Sequence, residues 1–475
     1  MRHERSHTKI IATIGPASSS KEVLEKMIHE GIDVVRLNFS HGEYEDHLKV
    51  INTVLELNKK LNTHVALLAD LQGPKLRVGE VENGVILEEG KNFKLTSEKC
   101  LGSVEKAYLS YEPLAKDVKP GESILIDDGK LMLEVTATNG KDCVETKVIA
   151  GGPLSSRKGV NLPHTKVSMP SLTGKDKKDA LFALKHKVDW IALSFVRKTE
   201  DILNLKKLIA ESGEQAYVIA KIEKPEALEE LDDIIMESDG IMVARGDLGV
   251  EIEFEKVPLI QKSIVNKCIS LSKPVIIATQ MMESMIQNPT PTRAETNDVA
   301  NAVLDGADTL MLSGETSVGK YPVGTIRNMQ KIIDATEFRG FHFFRKHIPK
   351  SLNTNFRADS VCYNAVVMAE QTEAAAIICL TNSGYTAIRI SSHRPRANIF
   401  TFTMNQELLR QLSLVWGVRA YYYTEFNHIN EYIEYSIEFL LNQNYIEKGD
   451  LVVHVGSMPV KEKGITNMLK LSLIE

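Results

Sequence analysis

A chain of 475 residues is too long for one ordinary hydrophobic core and reads as about three domains of roughly 150 residues each. Its 43% hydrophobic and 25% charged content excludes a disordered polymer, and a formal net charge of −6 with no basic stripe or acidic tail argues against a nucleic-acid partner. No apolar run approaches about 18 residues and the basic opening "MRHERSHTKI" lacks a signal-peptide core, so a cytoplasmic protein with no membrane partner is expected. The five cysteines, Cys100, Cys143, Cys268, Cys362 and Cys379, are scattered without ligand spacing, which points to a reducing compartment and no zinc.

In chain order, the apolar runs "KIIATIG", "VVRLNFS" and "VALLAD" alternate with helical patterns such as "SKEVLEKMIHEG", where the closing Gly sits at a C-cap position. After a gap the same alternation resumes with "WIALSFV", "YVIAKIE", "GIMVARGD", "PVIIATQ" and "TLMLSGET", and "YPVGTIRNMQKIIDATE" follows as a last outer helix. Eight strand–helix units predict a closed (β/α)8 TIM barrel over 1–70 and 168–345, with an open doubly wound sheet as the alternative. The gap, 71–167, alternates at period two with "ENG" and "TNG" as turn signals, which predicts an inserted all-β lid domain on a barrel loop. From 346 to 475 the pattern restarts with "AAAIICL", "NIFTFT", "VRAYYY" and "DLVVHV", a C-terminal α/β domain and a candidate for regulation.

Several barrel strands end on charge, which a buried parallel strand has no packing reason to do. In "KIEKPEALEELDDIIMESDGIMVARGDLGVEI", one strand runs into Lys221 and Glu223 and the next into Arg245, Gly246 and Asp247. Residues i and i+2 of a strand face the same way, so Lys221 and Glu223 project together. Glu223 and Asp247 offer carboxylates from adjacent strands without a nearby His or Cys, a donor set suited to Mg2+ or Mn2+ with positions left for substrate oxygens. The plain alternative is a solvated strand end whose Lys and Glu pair with each other. Against it, Arg36, Asn38 and Ser40 end the second strand, Asp70 the third, Ser194 the fourth and Thr279 the seventh, while no such gathering is read at the strand beginnings. Gly246 and Asp247 stand where a short helix starts, with N–H groups for a carboxylate or phosphate. Arg77, where the insertion leaves the barrel, and Lys158, where it returns, are placed to hold a polyphosphate. The tripeptide "RGD" at a strand end is read as a chance match to an adhesion motif.

The segments "TKIIATIGPAS", "VVRLNFSHG", "KGVNLP", "KIEKPEAL", "DGIMVARGDLGVEI", "ATQMMESM" and "PTRAETNDVANAVLDGADTLMLSGET" together closely resemble the pyruvate kinase family, most specifically over 240–316. The resemblance implies a glycolytic transfer of the phosphoryl group of phosphoenolpyruvate to ADP, giving pyruvate and ATP. It implies Glu223 and Asp247 as ligands of Mg2+ or Mn2+, and Lys221 as stabiliser of the phosphoryl group and the enolate. Arg36 would clamp the phosphoryl group, the Gly246 and Asp247 amides the substrate carboxylate, and Thr279 the route of enolate protonation. Arg77, Lys158, Asn38 and His41 would bind nucleotide, Asn38, Ser40 and Asp70 would form a monovalent-cation site, and a homotetramer is implied. A metal-dependent aldolase or lyase acting on a pyruvate enolate is the rival enzyme, and a catalytically dead barrel kept as a binding subunit the rival of another class.

Two stretches depart from the commoner family pattern. In "DLQGPKLR", Leu71 and Lys75 stand where a Thr and a Glu are usual, so the Lys75 ammonium is expected to replace K+, which is then not required. In the C-terminal domain "TNSGYTA" supplies Thr381, Ser383 and Thr386, as in the family's sugar-phosphate site, but "GSMPVKEKGITN" carries Lys461, Glu462 and Lys463 in place of a Gly-rich loop, and no effector is named.

Overall fold

The computed structural model describes residues 6–163, 165–340, 343–345, 347–350, 355–424, 428–459 and 466–475; Lys461, Glu462 and Lys463 lie outside them. Eight parallel strands, Lys9–Thr13, Val34–Asn38, Ala66–Asp70, Trp190–Leu193, Tyr217–Ile222, Gly240–Ala244, Val275–Ala278 and Thr309–Leu312, close into a barrel. Each pairs with its neighbours in sequence, and Lys9–Thr13 pairs with Thr309–Leu312, so the sheet is not the open alternative. These runs are continuously apolar because both faces are covered: Leu68, Trp190, Ile219, Met242 and Ile276 fill the interior, while Val35, Leu67, Ile191, Val218 and Ile277 meet the outer helices. The helices stop where the sequence says they should. Gly31 at φ +113° and Gly213 at φ +72° adopt the left-handed conformation that closes Lys21–Glu30 and Thr199–Ser212.

Between the third and fourth barrel strands the chain builds a seven-stranded sheet whose edge strands, Leu76–Arg77 and Lys106–Tyr108, are drawn together by a bridge between Val78 and Leu109. Phe93, Leu95, Ile124 and Leu133 give this insertion its own core. One of its tight turns carries no signal used above. In "IDDGK", Asp127, Asp128 and Gly129 all take positive φ, joining Ser123–Ile126 to Leu131–Thr138. Asp tolerates that conformation by local hydrogen bonding.

The C-terminal sheet runs Val418–Tyr422, Asn398–Thr403, Ala376–Leu380, Leu451–Gly456, Met468–Leu473, the last strand antiparallel. It docks on the end of the barrel opposite the lid. Leu414 plugs the interior layer, Trp190 Nε1 donates to Gln411 O at 3.3 Å, and Thr309 Oγ1 donates to Leu414 O at 2.8 Å.

That docking end corrects the reading of the strand beginnings, where polar residues do gather. Asp33, Asp189, Asp239 and Asp308 each precede an even-numbered barrel strand and accept an N–H from the strand before: Ile10 at 2.9, Leu67 at 2.8, Val218 at 2.8 and Val275 at 3.0 Å. The first N–H groups of a barrel strand have no partner across the ladder, and a carboxylate satisfies each at the cost of one residue. In the sequence, a lone Asp before an apolar run looks like ordinary punctuation.

Candidate active site

Lys221 sits at the centre of the barrel mouth, 8% exposed, with its ammonium 2.9 Å from Glu223 Oε1, 3.1 Å from Asp70 Oδ1 and donating to Ser194 Oγ at 2.7 Å. Burial alone would lower it, but the Asp70 and Glu223 carboxylates outweigh that and raise it, so it stays charged. The pairing of Lys221 with Glu223 weighed from the sequence is present, yet buried and shared with a third strand rather than solvated.

Arg36 ties the second strand to the third and the first: Nε donates to Asp70 Oδ2 at 2.7 Å and Nη1 to Thr13 Oγ1 at 2.9 Å. Its Nη2 makes no hydrogen bond among the described residues. Burial works to raise Asp70, while Lys221 and Arg36 together hold it below the usual carboxylate range. Asp70 is thus the counter-ion of two cations. Asn38 Oδ1 accepts the Ser40 N–H at 3.1 Å, which folds the loop that follows. His41, next along, is lowered by desolvation and by the positive charges of Arg77, Lys75 and Arg36.

Glu223 is 1% exposed, and its Oε2 accepts the N–H of Phe195 at 2.7 Å, a residue at φ +54°. Its Oε1 faces Lys221 as an ion pair without hydrogen-bond alignment, so a buried oxygen is left over. Burial and the charge of Asp247 raise Glu223 against the pull of Lys221. Two all-oxygen donors that strain each other electrostatically, one with an unused buried atom, fit a hard dication that keeps further positions for other ligands. Among the described residues no cluster of three or more His, Cys, Asp or Glu forms a complete cage.

Asp247 lies in the first turn of the short helix Arg245–Glu251, as expected, but the amide beside it is already engaged. The Gly246 N–H donates to Thr279 Oγ1 at 2.7 Å, and that hydroxyl donates to Ala278 O at 2.6 Å. Thr279 itself takes φ +69° and Gln280 φ +56°. Left-handed backbone at a β-branched residue is held against about 1–3 kcal/mol of strain and tends to mark function. Arg245 Nη2 secures it by donating to Thr279 O at 2.7 Å.

On the two hinge strands of the insertion Arg77 and Gly159 are register partners, and the Val78 N–H donates to Lys158 O at 2.9 Å, so the backbones that carry Arg77 and Lys158 run side by side. Lys158 Nζ lies 3.0 Å from Asp127 Oδ1 in the unforeseen turn. Lys75, half-buried, Asp128, Gly159 and Asn161 face Asp247 across the cleft. No ion pair joins Lys75 to Asp70 among the described residues, whose partners there are Arg36 and Lys221. Sequence reasoning missed Thr13, Phe195, Asp127 and Asp128. For the turn, the consecutive "DDG" was the available signal; for Thr13 and Phe195 there was none, since both act through contacts distant in sequence.

Models of the pyruvate kinase barrel domain and of the pyruvate kinase alpha/beta domain match residues 5–326 and 359–472. The chain is 42% identical to the pyruvate kinase of Clostridium acetobutylicum, over 98% of this chain and 99% of that one. It is also 42% identical to that of Corynebacterium glutamicum, over 98% and 97%. It is similar in structure to a crystallised pyruvate kinase from Cryptosporidium parvum, with a TM-score of 0.91 and 36% identity over 99% of this chain and 96% of that one. With matches running through the barrel, its insertion and the C-terminal sheet alike, the chain belongs to the pyruvate kinase family.

Proposed function

We propose that the barrel mouth carries out the family's phosphotransfer, in which phosphoenolpyruvate and ADP give pyruvate and ATP, with Lys221 as the central charge. The observation that carries this reading is a buried lysine held between Asp70 and Glu223, with Asp247 beside them. Lys221 supplies fixed positive charge where the phosphoryl group leaves and the enolate forms, which needs no reorganisation during reaction. Arg36 clamps the phosphoryl group through its free Nη2, its other nitrogens being anchored on Asp70 and Thr13. Glu223 and Asp247 would hold Mg2+, or Mn2+ in its place, and the ion would supply positive charge to offset the negative charge that develops during transfer.

The Gly246 and Asp247 amides receive the substrate carboxylate. The Gly246 N–H turns from Thr279 Oγ1 to the carboxylate, and the Thr279 hydroxyl, whose proton rests on Ala278 O, must leave that carbonyl to pass a proton to the enolate, directly or through water. Arg77, Lys158, Asn38 and His41 take the nucleotide, and Asn38, Ser40 and Asp70 line a monovalent-cation position whose charge Lys75 replaces. Arg77 and Lys158, one on each hinge segment of the insertion, favour a kinase over a lyase, which has no use for a polyphosphate clamp. Four such chains form a homotetramer, to be checked by sedimentation. Among the described residues no helix is long and apolar enough to cross a membrane, in keeping with the cytoplasmic location proposed here.

The test is pyruvate formation from phosphoenolpyruvate in the presence of ADP, with and without Mg2+ and with sugar phosphates added. The proposal expects turnover that needs both ADP and the metal. Pyruvate release without ADP, together with a retro-aldol or lyase product, would replace it.

A further inference from the structure

The strand by which the insertion returns to the barrel, Gly159–Asn161, makes a buried polar contact with it. Asn161 Nδ2 donates to Glu251 Oε1 at 2.8 Å, and Lys224 Nζ donates to the same oxygen at 2.7 Å. The three side chains belong to residues only 9%, 3% and 7% exposed for Asn161, Glu251 and Lys224, so this is not a surface pairing. Lys224 follows Glu223 directly, and Glu251 closes the helix whose first turn carries Gly246 and Asp247. One carboxylate oxygen therefore joins the lid strand beside Lys158, the strand end of Glu223 and the helix of Asp247. The other oxygen, Oε2, is buried without a hydrogen bond. Packing does not explain the arrangement, because apolar residues of equal volume commonly serve as well as a buried ion pair. What a shared, directional acceptor adds is register.

We propose that Glu251 is a positioning residue that locks the lid strand to the substrate helix, so that the nucleotide phosphates held from the lid and the phosphoryl donor held at Asp247 keep one alignment with water excluded. The inference rests on the phosphotransfer reading above. When the tie is cut, the lid strand is free to shift while Glu223, Asp247 and Lys221 stay in place. ADP is then held less well, and water competes for the phosphoryl group. In that side reaction the bond from phosphorus to the enolate oxygen breaks and the water oxygen forms the new bond to phosphorus. The products are pyruvate and inorganic phosphate, and no ATP is made.

The full chain is assayed with Mg2+, phosphoenolpyruvate and ADP, measuring pyruvate and ATP separately, for the unsubstituted protein, Asn161→Ala, Asn161→Asp and Glu251→Gln. Asn161→Asp keeps the shape of the side chain, so folding is preserved while a carboxylate faces Glu251. Both Asn161 variants are expected to raise the KM for ADP by about tenfold, to leave the KM for phosphoenolpyruvate within about twofold, and to make more pyruvate than ATP. Glu251→Gln still offers an oxygen to Asn161 and is expected to shift these values less. Equal pyruvate and ATP with an unmoved ADP KM in Asn161→Asp would overturn the proposal, and so would a fall in kcat alone, which is what merely structural damage gives. If the unsubstituted chain makes no ATP from phosphoenolpyruvate, the phosphotransfer reading itself is what fails.

Discussion

Buried charge collects at both ends of the barrel, and the two collections behave differently. At the strand beginnings the most buried carboxylates are engaged on both oxygens: Asp308 accepts from Val275 N, Trp416 N and Arg394 Nη2, and Asp189 accepts from Leu67 N and Arg410 Nε. At the strand ends Asp70, Glu223 and Asp247 face Lys221 and Arg36; among the described residues one oxygen of Glu223 has no aligned donor and Arg36 bonds through Nε and Nη1 alone, and Thr279 is held in a strained conformation. Burial of charge is thus common to structure and function. What distinguishes the strand ends is a buried carboxylate oxygen left over after the fold has been satisfied.

That contrast predicts opposite phenotypes for equally buried residues. Glu223→Gln and Asp247→Asn remove donors from the unfilled set and are expected to lower Mg2+-dependent turnover by about a thousandfold or more while the melting curve barely moves. Near-normal activity at ordinary Mg2+ in either variant would break the metal assignment. Lys221→Met is expected to lower kcat by about 10² to 10³-fold with a much smaller change in the phosphoenolpyruvate KM, because its charge is needed most in the transition state. A change confined to KM would make Lys221 a binding residue only. At the other end, Arg394→Met strands the Asp308 carboxylate, with an expected loss of about 3–5 kcal/mol in denaturant unfolding and near-normal activity per folded molecule. A catalytic defect without a stability defect there would erase the distinction between the two ends.

How much of this was legible depended on sequence distance. The eight strands announce themselves as apolar runs, and period-two projection places Lys221 with Glu223 and Arg36 with Asn38 without any tertiary knowledge. The aspartates that cap the strand beginnings were missed because each serves a neighbouring strand, 23 residues away for Asp33 and 122 for Asp189. Positive φ at Thr279 leaves no mark in composition, since Thr is a residue for which the conformation is unfavourable. The Glu251 tie joins partners 27 and 90 residues apart on three elements, and only closure of the barrel with its lid brings them together.

His454 gives the comparison a third region, the interior of the C-terminal sheet. It is wholly buried in Leu451–Gly456, both ring nitrogens lack hydrogen bonds, and desolvation with the charge of Lys470 lowers its pKa to about 4. The folded value lies below the unfolded one, so the stability its neutral form allows is intact above about pH 6.5 and drains away as pH falls towards 4, by about 1.4 kcal/mol per pH unit. His454→Leu is expected to remove that slope, which urea unfolding at pH 7 and pH 5 compares directly. If the variant is also more stable at pH 7 and fully active, leftover hydrogen-bonding capacity marks function only where charges converge. A loss of activity would extend the rule to the C-terminal sheet.

The smallest expected effect is that of K+ on the unsubstituted enzyme. Lys75 is half-buried on the cleft, and Arg77, Lys75 and Arg36 together bear on His41, the residue directly after Ser40. Asp70, the one carboxylate of the proposed monovalent position, is already shared by Arg36 and Lys221. Two cations about 4 Å apart repel by about 4 kcal/mol at an effective dielectric near 20, so a site so rich in fixed positive charge has little room for a mobile one. Leu71, buried at 1% exposure, offers no side-chain oxygen where the commoner Thr would. Turnover in tetramethylammonium buffer is therefore expected to change by less than about twofold on adding K+, a difference of under about 0.4 kcal/mol. Lys75→Glu, alone or with Leu71→Thr, removes the resident charge and is expected to make the enzyme depend on K+. Strong stimulation of the unsubstituted protein would show that Lys75 serves the nucleotide side of the cleft and leaves the monovalent position to be filled.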